Sequence, residues 1–472
     1  MAQELTQQVY DPDQFQSFAA LVVDHITEHL RQAYTNPCGK IATGSQLDEI
    51  CETFFKPAFA KKDLAQKVKD LIASYTNNSL NLHSPYYMGH QVPPPAPLAG
   101  IFQGLALTLN QGLAVAEMSP FASSIERTLI KKLLKKVGYD QNAAAGIITS
   151  GGSLANLTAL LSARAKAQPD SWTRGTQAEK YVICSERAHY SVSRACGIIG
   201  IGEKSCIKVP GILTKEKLEE VFRSIEPKKI LAVIASAPST PFGEIDDLLG
   251  LGECCESKNI WLHVDGVHGA SLLFSPKYSH LLQGIERATS ISWDAHKMLH
   301  VPSLCTFLLY KDKQHAATTF RQDASYLFDD DNNWYAHNAK MTFECTKPSL
   351  ATGLWAVWAV YGDEFFRECI EKCMSLTEQA YEFFSTHPDF KCPGKPATNI
   401  LCFRVEPQNQ GATDLDALQI FLRKKLIEQG QFYITSTNSD GKEFLRLTLI
   451  NPLTTIEHVK ALANSLLQLL PR

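Results

Sequence analysis

No stretch of about 18 uncharged apolar residues occurs in this chain of 472 residues, which excludes a helical membrane span. There is little surplus charge: a net charge of -3 and a pI near 6.5 give no electrostatic case for nucleic acid or an anionic membrane. No G-x-x-x-x-G-K-[ST] run is present, which argues against a nucleotide-hydrolysing phosphate loop. Paired C-x-x-C spacings are also missing, so no zinc site is signalled. The 13 cysteines are odd in number and spread along a long chain, so they read as buried reduced thiols in an intracellular setting. Met1 to Asp13 is polar and lacks the charged and then apolar order of a secretory signal, and a cytoplasmic location is expected. Neither an internal repeat nor a low-complexity tail is found.

What is present is an ordinary soluble composition, 44% hydrophobic and 20% charged. The length exceeds a single typical core, so a large domain with a smaller partner is expected. Phe15, Phe18, Ala19, Val22, Ile26 and Leu30 recur at helical spacing, which predicts an amphipathic helix over 14–33. Such a helix needs a partner surface, and a dimer mate is one candidate. Between Leu80 and Pro97 the prolines predict a rigid connector, and its tyrosines and histidines line a pocket or stand exposed. The division expected is a helical segment and connector over 1–95, a large α/β domain over 96–348, and a linking helix with a small α+β domain over 349–472.

From Ser119-Pro120 onward strands and helices alternate. Strands are expected at Ala145 to Thr149, Tyr181 to Cys184, Ile230 to Ala235, Ile260 to Val264, Thr289 to Trp293 and Cys305 to Tyr310. Continuous apolar strands joined by helices imply a mostly parallel sheet covered on both faces, with ligands at the carboxyl ends of the strands. Ala324 to Thr346 reads as a long functional or mobile loop. The C-terminal order is strand Ile400 to Val405, helix Leu415 to Glu428, strand Phe432 to Ser436, strand Phe444 to Leu449, and a helix from Thr455.

Three strand ends carry chemistry. Gly151-Gly152-Ser153 turns from a strand into a helix, where exposed N–H groups favour a phosphate; turn geometry alone also explains the glycines. Asp265 ends an apolar strand, where a carboxylate needs a cation or donor, such as a protonated pyridine nitrogen or a neighbouring loop. Lys297, at the end of Thr289 to Lys297, is the candidate Schiff-base residue, because an amine at the edge of an apolar sheet loses its proton more readily. His189, just past another strand, suits contact with a planar ring, an acid role, or an ordinary hydrogen bond. Together these meet the needs of pyridoxal 5'-phosphate: an anchor for the phosphate, a partner for the ring nitrogen, and an amine for the aldehyde.

Thr149-Ser-Gly-Gly-Ser-Leu-Ala-Asn156, His189-Tyr-Ser-Val-Ser-Arg-Ala195, His263-Val-Asp-Gly-Val-His-Gly269 and Asp294-Ala-His-Lys297 resemble the motifs of the group II pyridoxal-phosphate-dependent amino acid decarboxylases. That family includes glutamate, cysteine sulfinate, aromatic amino acid and diaminobutyrate decarboxylases. The likeness runs from about His83 to about Pro452, with Ser119-Pro120, Glu126, Tyr326-Leu327-Phe328, Leu445-Arg446 and Asn451-Pro452 as further landmarks. It implies the aspartate aminotransferase-type fold and a homodimer with active sites at the subunit interface. Lys297 would carry the cofactor, His189 would stack on its ring, Asp265 would pair with the pyridine nitrogen, and Gly152 and Ser153 would hold the phosphate. Asp294 and His296 would also belong to the cofactor site, with His296 facing the phosphate or the substrate. Tyr335 would donate the proton to the carbanionic carbon, with His337 its rival.

Arg446, and with it His83, would bind the substrate. A guanidinium there suits an acidic substrate such as glutamate, aspartate or cysteine sulfinate, although a structural ion pair is the alternative. Departures from the family pattern, Asp265-Gly266-Val267, Ala237-Pro238-Ser239-Thr240, Asp294 and Cys345-Thr346-Lys347-Pro348, bear on the substrate. The expected function is decarboxylation of an L-amino acid, acidic substrates favoured. Aromatic amino acid or diaminobutyrate decarboxylation, transamination, aldol cleavage and a non-catalytic protein that keeps the fold remain as alternatives.

Overall fold

A computed structural model of the chain describes residues 5–55, 61–320, 338–408, 414–439 and 441–471. It divides into two compact units, one of residues 1–90, 382–393 and 402–472, the other of 91–381 and 394–401.

The second unit is built on a seven-stranded sheet. Its strands are β1 (Ala145–Thr149), β2 (Tyr181–Ser185), β3 (Cys206–Val209), β4 (Ile230–Ser236), β5 (Trp261–Asp265), β6 (Ser290–Asp294) and β7 (Thr306–Tyr310). The order is β1-β7-β6-β5-β4-β2-β3, and only β7 runs against the rest. Every residue of β4, β5, β6 and β7 is buried, as expected of strands covered on both faces. The helices Gly152–Ala167, Ser191–Ile198 and Leu248–Ser257 supply cover. The register aligns the strand ends: Asp265 faces Ser236 on β4 and Ser292 on β6, while Thr306 of β7 faces both Thr149 and Asp294. Residues far apart in sequence therefore open onto one edge.

Two features were not anticipated. The strand β3, Cys-Ile-Lys-Val, is short and carries an exposed lysine at a sheet edge, so its apolar signal is weak. The long helix Thr352–Thr386 is bent where Gly362 adopts φ 66° and ψ -166°.

In the first unit the expected N-terminal helix spans Pro12–Gln32, none of its residues is buried, and it packs against the helix Lys61–Asn77. The small sheet consists of β8 (Phe390–Lys391), β9 (Ile400–Val405), β10 (Thr435–Ser439) and β11 (Lys442–Thr448), in the order β10-β11-β9-β8. Phe432, Tyr433 and Ile434, expected in a strand, precede it: they are buried, and Tyr433 stacks on Tyr87 of the connector with ring centroids 5.3 Å apart. A Cβ on Gly89 would lie 2.4 Å from the Tyr433 ring, so only glycine lets the connector pass there. Asn451 and Thr454 complete the anchorage by donating to the carbonyls of Ser84 and Pro85, each at 2.8 Å.

All thirteen cysteines are free thiols, Cys51 and Cys345 being the exposed ones. Among the described residues no helix is long and apolar enough to cross a membrane, and no group of three or more His, Cys, Asp or Glu side chains is placed to hold a metal.

Candidate active site

The turn after β1 begins the site. Gly151 sits at φ +102°, a conformation that side chains rarely adopt, and it launches the helix Gly152–Ala167. The first N–H groups of that helix and its positive end favour an anion. A Cβ on Gly152 would stand 2.7 Å from Val267 Cγ1 and 3.5 Å from Asp294 Oδ1, so the ends of β1, β5 and β6 converge on this glycine. Ser153 is exposed beside it, and Ser150 donates to Glu344 at 2.7 Å.

Asp265 is nearly buried at 6% exposure, and polar groups from a helix, a neighbouring strand and its own turn surround its carboxylate. Asn156 Nδ2 donates to Oδ2 at 2.8 Å, the Val267 N–H to Oδ1 at 3.4 Å, and the Ser292 hydroxyl lies 3.5 Å from Oδ1. These donors meet the demand that a buried carboxylate makes.

Lys297 Nζ lies 3.1 Å from Asp294 Oδ2, and the Thr306 hydroxyl donates to Asp294 Oδ1 at 2.5 Å. His296 turns its Nδ1 to the backbone of Cys305 and its Nε2 to Asp294 at 3.5 Å. His189 receives the Ser191 hydroxyl on Nδ1 at 2.8 Å. Burial pushes its imidazole below the ordinary range, against the charges of Asp265 and Asp294, while Lys297 adds to the lowering. Gly152, Asp265, Lys297, Asp294, His296 and His189 thus gather at one end of the sheet.

The remaining expected residues belong to the first unit or fall outside the described residues. Arg446 is buried on β11, bonded to Thr435 Oγ1 at 3.3 Å, and His83 packs edge-on against His29; all four belong to the first unit. Tyr335 and its rival His337, with Tyr326-Leu327-Phe328, fall outside the described residues. Sequence reasoning missed Asn156, Ser191, Ser292, His263 and Thr306. Asn156, Ser191 and His263 stand within the quoted motifs, but nothing in their spacing pairs Asn156 with Ser191 35 residues on or with His263 107 residues on.

The donor set fits pyridoxal 5'-phosphate. The helix start at Gly152 presents backbone N–H groups that suit a phosphate, the braced carboxylate of Asp265 could accept from a protonated ring nitrogen, and Lys297 offers an amine for the aldehyde. The carboxylate of Asp294 holds that amine in place.

Buried histidines make the fold sensitive to acid. Burial lowers His263 and His300 from 6.5 to about 4 each. A histidine depressed on folding contributes stability above 6.5 that is lost as pH falls toward 4, because the unfolded chain takes up the proton first. Asp246, raised by burial from 3.8 to about 6, works the other way and regains stability over the same range. Two histidines against one carboxyl leave a net loss on the order of 3 kcal/mol between pH 6.5 and 4. Urea titrations at several pH values should record it; stability unchanged across that window would contradict the assignment.

The sequence profile of the pyridoxal-dependent decarboxylase conserved domain matches residues 60–406. The L-2,4-diaminobutyrate decarboxylase of Acinetobacter baumannii is 27% identical over 447 residues, covering 90% of this chain and 87% of that protein. The crystal structure of mouse CSAD superposes with a TM-score of 0.89 at 22% identity, covering 97% and 99% of the two chains. The structure of Oryza sativa TDC with PLP and tryptamine gives 0.88 at 20% identity over 98% and 99%.

Proposed function

The chain belongs to the pyridoxal-dependent decarboxylase family, and on that premise we propose that it decarboxylates an acidic L-amino acid: glutamate, aspartate or cysteine sulfinate. Its activity as a pyridoxal 5'-phosphate-dependent amino acid decarboxylase follows from the family; the choice of substrate is the proposal. The observation that carries it is Arg446, a guanidinium at 6% exposure on β11. A buried guanidinium is a costly group, and a fork of donors matches a carboxylate.

When bound, the cofactor supplies an aldehyde for the substrate amine and a ring that takes up the electrons left as carbon dioxide departs. Lys297 would supply the amine that holds that aldehyde. Asp265, fixed by Asn156, would accept from the proton-bearing ring nitrogen. Gly152 and Ser153 at the helix start would hold the phosphate, Asp294 and His296 would belong to the same cofactor site, and His189 would contact the ring. Tyr335 delivers the proton to the carbon that lost its carboxylate, and His83 helps seat the substrate. In the same reading the enzyme is a homodimer, supported by apolar side chains left in water on one unit, among them Ile101 and Phe121, each 66% exposed.

A second reading, diaminobutyrate decarboxylation, is favoured by the 27% identity to the Acinetobacter protein. Carbon dioxide release from glutamate, aspartate, cysteine sulfinate, 2,4-diaminobutyrate and tryptophan separates the two. The acidic reading expects the highest kcat/KM on one of the first three, and a raised KM for it in Arg446→Leu. Preference for diaminobutyrate or tryptophan would reject it.

A further inference from the structure

Asn156 stands one turn into the helix Gly152–Ala167, 2% exposed, and its amide makes four hydrogen bonds among the described residues. Its Nδ2 reaches Asp265 Oδ2 at 2.8 Å and Ser191 Oγ at 3.1 Å. Its Oδ1 meets Ser292 Oγ and His263 Nε2, both at 3.0 Å. The orientation of this amide follows from its partners. A carboxylate only accepts, so the NH2 group must face Asp265, and its second hydrogen then points at Ser191.

The amide oxygen is left for Ser292 and His263, so His263 carries its proton on Nε2. Its Nδ1 accepts from the Ser290 hydroxyl at 2.8 Å, and Ser290 accepts from the Trp261 indole N–H at 2.9 Å. Indole can only donate. Two groups without a choice, Asp265 at one end and Trp261 at the other, therefore impose the same direction on the chain of hydrogen bonds.

That direction reaches His189. The Ser191 oxygen takes the Asn156 N–H, and its own hydrogen goes to His189 Nδ1 at 2.8 Å. The Ser191 backbone N–H also points at that nitrogen, at 3.3 Å. A proton on Nδ1 would confront both donors, so the neutral ring carries its proton on Nε2.

We propose that Asn156 and Ser191 are positioning residues, one buried amide locking the Asp265 carboxylate and, through the Ser191 hydroxyl, fixing His189 as its Nε2–H tautomer. The consequence for catalysis rests on the reading of Asp265 and His189 as cofactor contacts. The tautomer itself is readable whether or not that reading holds.

The test is long-range proton–nitrogen NMR on the full chain, labelled with 15N-histidine and loaded with pyridoxal 5'-phosphate, with His189→Gln assigning the signal. The native enzyme should show His189 Nδ1 unprotonated. Ser191→Ala should move population to the Nδ1–H form and lower kcat about tenfold, at the lower end of what losing a supporting hydrogen bond to a site residue costs. KM should change little, and Ser191→Thr should restore both tautomer and kcat; the melting temperature of each variant controls for misfolding. A native His189 protonated on Nδ1, or a Ser191→Ala protein with unaltered tautomer, overturns the proposal. The Nε2–H form without decarboxylation of any acidic substrate would support the relay while rejecting the substrate assignment.

Discussion

Lys297→Ala is expected to leave a folded protein that has lost turnover by on the order of 10⁴-fold or more, the upper end of what one proton-transferring group contributes. The same change removes the amine proposed to hold the cofactor aldehyde, so the visible absorbance of lysine-bound cofactor should vanish with activity. Lys297→Arg separates charge from nucleophilicity. It keeps a cation for Asp294, now 3.1 Å from the lysine Nζ, but a guanidinium does not lose its proton and cannot take the aldehyde. Both variants should be equally inactive, with the arginine variant the better folded of the two. Carbon dioxide release and an absorbance scan decide the matter, and undiminished turnover in Lys297→Ala would remove the residue from the mechanism.

Lys347→Met is expected to cost about 3–5 kcal/mol of stability, the penalty for leaving one member of a buried ion pair alone. The Lys347 side chain is 0% exposed and its Nζ lies 3.1 Å from Glu126 Oε2, whose own side chain is 2% exposed. The same Nζ donates to the carbonyl of Ile148 at 2.5 Å, next to the last residue of β1, so the pair also tethers the strand that leads into the Gly151-Gly152 turn. Asn338 donates to the same Glu126 oxygen at 3.1 Å, while Oε1 finds no hydrogen-bond partner among the described residues. Burial raises the Glu126 carboxyl, with Lys347 opposing that rise, so without the lysine Glu126 should take up a proton on folding. The double variant Glu126→Leu with Lys347→Met should recover much of the loss, because it buries no unpaired charge. Urea denaturation measures both; a single variant within 1 kcal/mol of the native enzyme would show that the pair contributes little.

Apolar runs made most of the large sheet legible. Ala145–Thr149 and Ile400–Val405 form where they are expected, and the other expected strands of the large sheet shift by at most one residue at either end. The direction of β7 was not legible, because a run such as Thr-Phe-Leu-Leu-Tyr is equally apolar read either way. The strand before the last failed for a different reason. Phe432, Tyr433 and Ile434 are apolar because they pack against the connector, whereas the ladder with β11 is made by the polar Thr435–Ser439 at the sheet edge. Burial and pairing are separate demands, and there they fell on adjacent residues.

The sequence by itself determined which chemical groups stand at strand ends: a glycine turn before a helix, a carboxylate, an imidazole and an amine, in motifs sufficient to identify the family and its cofactor. Only the tertiary structure decided what holds them. Asp294 meets Lys297 through local geometry three residues apart, but Asn156 reaches Asp265 and His263 across more than a hundred residues of chain. Such pairings arise from the order of strands in the sheet, and hydrogen bonds act over about 3 Å, so their partners and polarity become fixed when the strand ends are brought side by side.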